Sequence, residues 1–186
     1  MPLIWLMTVF KLNLATRNSV YLWAATVGLS RQGYLLLRRH AARHITQIKG
    51  VKAYPRGLER LQWHRQQGHK VVVVTGALRW LARDICRELG IEYDTLLGSS
   101  ERSKWGGRVS DVFCYQHNKV TLLKAHGVID DKQTRYGYSD SSADIPMLDI
   151  CEHIVLVNPK PSCRDKFYEV FGQTPQIVTW KIDDDK

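Results

Sequence analysis

Asp140 and Asp144 stand four residues apart in the segment Gly-Tyr-Ser-Asp-Ser-Ser-Ala-Asp-Ile-Pro-Met-Leu, directly after a short apolar stretch. Two carboxylates on a tight turn can share a hard cation through oxygen ligands, the usual way magnesium is held. One carboxylate then ligates the ion while the other orients a ligand or its water. The spacing alone is common on surface helices; its place at a strand end, followed by a small-residue loop and a proline, gives it weight. Thr75 is the second candidate. Its hydroxyl and the backbone N–H groups of Gly76 and Ala77 follow a run of four valines, at an expected strand-to-helix junction that suits a phosphate. The same threonine could equally be the N-cap of the next helix. Lys119, which opens a helical pattern between the two motifs, could neutralise phosphate charge and brace the acids, or could simply be solvated.

These groups need elements to position them. Lys70–Val74, with its run of four valines, reads as a buried strand, by its length and β-branching. Residues 78–89 have helical periodicity and stop at Gly90; 93–97 reads as a short strand; 99–112, polar and rich in glycine, as a hairpin or loop. A helix over 119–125 stops at Gly127, and a strand at 135–138 runs into 139–144. A short helix at 146–151 and an apolar strand at 153–157 complete the series. Strand and helix in alternation predict an α/β fold, a Rossmann-like parallel sheet covered by helices on both faces. Both polar clusters then fall at the C-terminal strand ends, where such sheets place their chemistry. Residues 1–48 read as helices, 49–57 as a turn-rich linker and 58–67 as a helix ended by Gly68. The chain therefore divides into a helical N-terminal region, 1–68, and an α/β core, 69–182.

The order of these motifs resembles the haloacid dehalogenase superfamily. The hydrophobic strand with Thr75-Gly76-Ala77, the helix-opening Lys119, and Gly137-Tyr-Ser-Asp140-Ser-Ser-Ala-Asp144-Ile-Pro-Met-Leu148 match its second, third and fourth motifs. Trp105-Gly-Gly-Arg108 before Cys114 and Lys119, and Val155-Leu-Val-Asn-Pro159, are similar to the subclass with a helical cap inserted after the first motif, which includes phosphoserine phosphatase-like enzymes. The likeness covers about residues 68–180. A looser one links the N-terminal part, with Leu22-Trp-Ala-Ala-Thr-Val-Gly28, to the cap of phosphatidylglycerophosphatase C-like members. The resemblance implies a magnesium-dependent phosphomonoesterase working through an aspartyl-phosphate. It implies that Asp140 and Asp144 serve Mg2+, that Thr75, Gly76 and Ala77 hold the phosphoryl oxygens, and that Lys119 stabilises transition-state charge.

One part of the family pattern is missing. The first motif, Asp-x-Asp at the end of the first strand, supplies the nucleophile and the general acid-base in such enzymes. Here no aspartate precedes Asp84, and no acid at all precedes Glu59. Asp84 falls mid-helix, an unsuitable place for a nucleophile. The expectation is a chain that begins at an internal methionine; the alternative is a catalytically inactive relative that binds phosphate ligands or a partner.

Charge is unevenly spread. Residues 1–70 carry twelve Lys and Arg against one acid, and 71–186 carry fifteen against seventeen. A basic N-terminal region suits an anionic partner or a solvated helix face. A phosphorylated small molecule and a lipid phosphate are both compatible. A nucleic-acid-binding module is a further alternative, but no nucleic-acid motif is recognisable, so no nucleic acid is expected. The apolar opening, MPLIWLMTVF, lacks the basic flank of a signal peptide and is shorter than the ~20 residues of a spanning helix. Shallow insertion in a membrane surface and burial in a helical pair both stay open, so peripheral membrane contact through residues 1–30 is kept beside a cytoplasmic location. The four cysteines lack metal-ligand or CxxC spacing and read as free thiols.

Overall fold

The computed structural model describes residues 13–47, 52–130, 132–173 and 175–182. The apolar opening at 1–10, part of the proposed membrane-contact segment, and the acidic cluster at 183–185 lie outside the described residues.

Among the described residues, three helices come first. α1 (Leu14–Thr26) starts where the Asn13 side chain accepts a hydrogen bond from Thr16 N at 2.9 Å, a standard N-cap. α2 (Arg31–Gln47) follows, with Ser30 Oγ accepting from Gly33 N. α3 (Pro55–Gln66) has a proline in its first turn, where no N–H is needed. It thus begins three residues earlier than the pattern indicated, inside the expected linker.

The core alternates as expected. β1 (Val72–Leu78), α4 (Arg79–Glu88) and β2 (Thr95–Ser99) are followed by the antiparallel hairpin β3 (Glu101–Lys104) and β4 (Gly107–Ser110). Then come α5 (His117–Ala125), β5 (Tyr136–Ser139), a 3-10 turn at Ser142–Asp144, α6 (Ile145–Leu148), β6 (His153–Val157), α7 (Pro161–Phe171) and β7 (Gln176–Val178). β1 pairs in parallel with β2, and β5–β6–β7 form a second parallel group. The fold is α/β with parallel strands and covering helices, as the alternation predicts. Among the described residues, β1 and β5 each have one strand neighbour.

The core sits beneath the second group, where Leu148, Leu156 and Phe167 are fully buried and Ile145, Met147, Ile154, Cys163 and Phe171 pack around them. Gly137 permits this contact: a Cβ there would lie 2.6 Å from Leu148 Cδ2 and 2.9 Å from Cys151 Sγ. α6 can therefore press on β5 only over a bare backbone.

α1 lies along the free edge of β4. Ser19 Oγ accepts from Ser110 N at 3.1 Å, Thr26 Oγ1 accepts from Arg108 N at 2.8 Å, and Gly28 N donates to Gly106 O at 2.9 Å. Trp23 adds an Nε1–H bond to Trp105 O at 3.0 Å, and its ring fills the space over Gly107. Helix side chains thus stand in for a neighbouring strand, which removes an exposed edge. α2 packs on α4 through Tyr34 and Trp80, edge to face at 6.5 Å, with Arg38 over both rings. The Tyr34 hydroxyl donates to Glu101 Oε1 at 2.7 Å; burial, helped by that carboxylate, pushes the phenol up to about 12.

α3 lies against β5. Arg60 Nε donates to the Tyr138 hydroxyl at 2.8 Å, and His64 Nε2 meets the same hydroxyl at 2.7 Å. The tyrosine oxygen accepts from Arg60, and the other ring nitrogen of His64, Nδ1, faces His69 Nδ1 at 2.8 Å. Burial, reinforced by Arg60 and His69, holds His64 down to about 4. All four cysteines are free thiols. Among the described residues, no helix is long and apolar enough to cross a membrane.

Candidate functional site

The C-terminal ends of β1 and β5 carry the groups singled out from the sequence. Lys119 opens α5 and is buried, at 6% exposure, an unusual state for a lysine. Its ammonium lies 2.6 Å from Asp144 Oδ1. The other oxygen of Asp144 accepts from Ser139 Oγ at 2.8 Å, so both carboxylate oxygens are engaged. Ser139 also accepts from Ser141 N at 3.1 Å, which shapes the turn between Asp140 and Asp144. Asp140 itself is exposed at the end of β5.

β1 does not end where the valine run suggested. It continues through Thr75, Gly76 and Ala77 to Leu78, with a break in register between Thr75 and Leu78. Helix α4 begins only at Arg79, and its cap position, Leu78, makes no side-chain capping bond. Thr75 is therefore not an N-cap. Its Oγ1 accepts from Ala77 N at 3.2 Å, a small local turn that leaves Gly76 and Ala77 exposed.

Two residues with no role assigned from the sequence, Ser99 and Cys114, join these pieces. Ser99, at the end of β2, donates to Gly76 O at 2.8 Å and accepts from Cys114 N at 3.0 Å. The Cys114 side chain is fully buried. Burial pushes its thiol up, while the nearby Lys119 ammonium acts against that rise. A close backbone approach at Gly98 completes the scaffold: a Cβ there would lie 3.0 Å from Ala77 O and from Arg79 Cα.

Among the described residues, no group of three His, Cys, Asp or Glu gathers around one point. What is present is one exposed carboxylate, Asp140, beside a second that is fixed by Lys119 and Ser139. That suits magnesium, which keeps several waters and takes one or two carboxylates together with substrate phosphate.

Residues 12–149 match the family model described as haloacid dehalogenase-like hydrolase, which is most of the chain. The chain belongs to the haloacid dehalogenase-like hydrolases. A probable phosphatase of Mycobacterium tuberculosis is 30% identical over 104 residues, covering 54% of this chain and 36% of the relative. The chain thus spans about a third of the length of the curated relatives it matches. Among solved structures, a Bordetella pertussis protein of unknown function aligns with a TM-score of 0.69 at 18% identity, over 90% of this chain and 74% of that one. A HAD family hydrolase of Salmonella enterica serovar Typhi aligns with a TM-score of 0.51 at 15% identity, over 83% and 55%. A probable phosphoserine phosphatase of Vibrio cholerae gives 0.51 at 17%, over 79% and 47%. At these identities the likeness concerns the fold.

Asp84, the first aspartate in the sequence, lies within helix α4 rather than at a strand end. It is buried in α4, where Arg83 holds it through Nε at 3.0 Å and Nη2 at 2.9 Å. Arg83 also lines a groove with Arg65, Arg87 and Glu92, whose arginines already face Asp84, Glu88 or Glu92.

Proposed function

We propose that this chain forms the phosphate- and metal-binding half of a magnesium-dependent phosphomonoesterase of the helical-cap subclass. The observation that carries the reading is the Lys119–Asp144 pair at the end of β5, together with the Thr75–Gly76–Ala77 turn at the end of β1, which Ser99 ties to Cys114 N. Thr75 Oγ1 and the Gly76 and Ala77 N–H groups would bind the phosphoryl oxygens. Lys119 would offset the charge that builds in the transition state. Asp140 would ligate Mg2+, while Asp144 fixes Lys119 and the turn that presents Asp140. Bound magnesium would supply charge neutralisation at the phosphoryl oxygens. α1 and α2 would act as the cap over the substrate, a phosphorylated small molecule or a lipid phosphate. In this reading the nucleophilic aspartate belongs to sequence beyond these 186 residues, since none precedes Asp84.

That same lack of an early aspartate favours a second reading, a phosphate-binding relative without turnover. One experiment separates the two. Phosphate release from p-nitrophenyl phosphate is followed with and without Mg2+, beside binding of inorganic phosphate, for the full gene product that carries these 186 residues and for its Asp140→Asn variant. Magnesium-dependent turnover that disappears in Asp140→Asn supports the hydrolase. Phosphate binding without turnover supports the second reading. Absence of both would overturn the site itself.

A further inference from the structure

α1 has two working faces. Ser19, Trp23 and Thr26 hold β4, as described above. Asn18, Tyr21 and Leu22, at helical spacing i, i+3, i+4, turn instead into a cavity of about 380 Å3. Its floor includes Gly76 and Ala77, and its walls are completed by Leu78 and Phe113, with Ser99 and Ser110 between them. The volume lies in the range of small-molecule sites. Among the described lining residues none is acidic or basic.

We infer that this cavity takes the uncharged, apolar body of a phosphate ester, and that Tyr21, Leu22 and Phe113 select it; this rests on the phosphate site proposed above. A phosphate held at Gly76 and Ala77 leaves its alcohol portion facing these side chains. An apolar group there gains from leaving water. An ammonium or carboxylate, as on a phosphorylated amino acid, would lose its hydration with no charged partner on these walls. Asn18 supplies one neutral polar contact for the ester or a hydroxyl beside it.

Binding, which does not depend on turnover, is the suitable test. Inorganic phosphate, phenyl phosphate, butyl phosphate and O-phosphoserine are titrated calorimetrically into the native chain with Mg2+ present. Phenyl and butyl phosphates are expected to bind about tenfold or more tightly than inorganic phosphate, and O-phosphoserine no more tightly. In Tyr21→Ala the apolar advantage shrinks while affinity for inorganic phosphate holds; Tyr21 is 41% exposed and off the β4 face, so the helix remains docked. Tyr21→Arg, as a second variant, shifts preference toward O-phosphoserine. Equal affinity for all four ligands, or a native preference for O-phosphoserine, overturns the inference while leaving the phosphate site intact. No binding of inorganic phosphate at all would instead sink the underlying site.

Discussion

Lys119 and Asp144, 25 residues apart in the chain, meet as a buried ion pair at 2.6 Å, with Ser139 on the second carboxylate oxygen. A buried pair is costly to assemble and costlier to halve. Lys119→Met leaves Asp144 with only Ser139 and is expected to lower stability by about 3–5 kcal/mol. Lys119→Met combined with Asp144→Asn should recover much of that loss. Urea denaturation of the single and double variants checks the non-additivity; additive losses would mean that the pair does not act as a unit.

Ser99 is expected to couple the two halves of the site. Ser99→Ala removes its bonds to Gly76 O and from the buried Cys114 N–H, which costs about 1–3 kcal/mol for the unsatisfied group. Phosphate affinity should fall as well, because the Gly76 turn loses its anchor. A stability loss with unchanged phosphate binding would confine Ser99 to a structural role.

Gly137→Ala tests the contact between β5 and α6. The added methyl meets Leu148 and Cys151 well inside contact distance, so overpacking should cost about 1–3 kcal/mol, read by thermal or urea unfolding. Little change would show that α6 can shift away freely.

The α3–β5 tie makes stability depend on pH. His64 is held at about 4 in the fold against an ordinary value near 6.5. The unfolded chain therefore binds the proton first as pH falls. The contribution is fully present above about pH 6.5 and is lost between there and pH 4, an effect on the order of 2 kcal/mol. Urea midpoints across this range should fall on acidification, and His64→Gln should flatten the slope.

Asp140 is expected to behave in the opposite manner to Lys119. It is exposed, so Asp140→Asn should change stability by no more than about 0.5 kcal/mol. Magnesium affinity, followed by calorimetry with phosphate present, should nevertheless drop sharply. A large stability loss would reassign Asp140 as a structural residue.

Much of this was legible in the sequence because it was local. Four consecutive valines, the glycine stops at 90 and 127, and the alternation of strand with helix give the α/β order directly. The motifs at 75–77, 119 and 140–144 could be read because each sits on one short segment. Strand β1 ran past its valines because the Thr75–Leu78 segment bulges while still pairing with β2, a tertiary effect that local propensity does not carry. Helix α7 and strand β7 had no comparable local signature. Ser99 was not picked out, and Ser139 and Cys114 were named only as members of motifs, because their roles come from contacts across the fold. The only hints were a serine closing an apolar strand and a cysteine five residues ahead of Lys119. The His64–His69–Tyr138 chain was invisible for the same reason, since 64 and 138 meet only when α3 lies on β5.

The division of α1 into two faces also bears on how such a protein can change over generations. Positions 19, 23 and 26 are bound by the hydrogen-bonding and ring-packing needs of β4, and few residue types can meet them. Positions 18, 21 and 22 answer only to what occupies the cavity. Substitutions there can accumulate without disturbing the join between helix and hairpin, so a lineage can explore new ligands one side chain at a time while inheriting the same architecture.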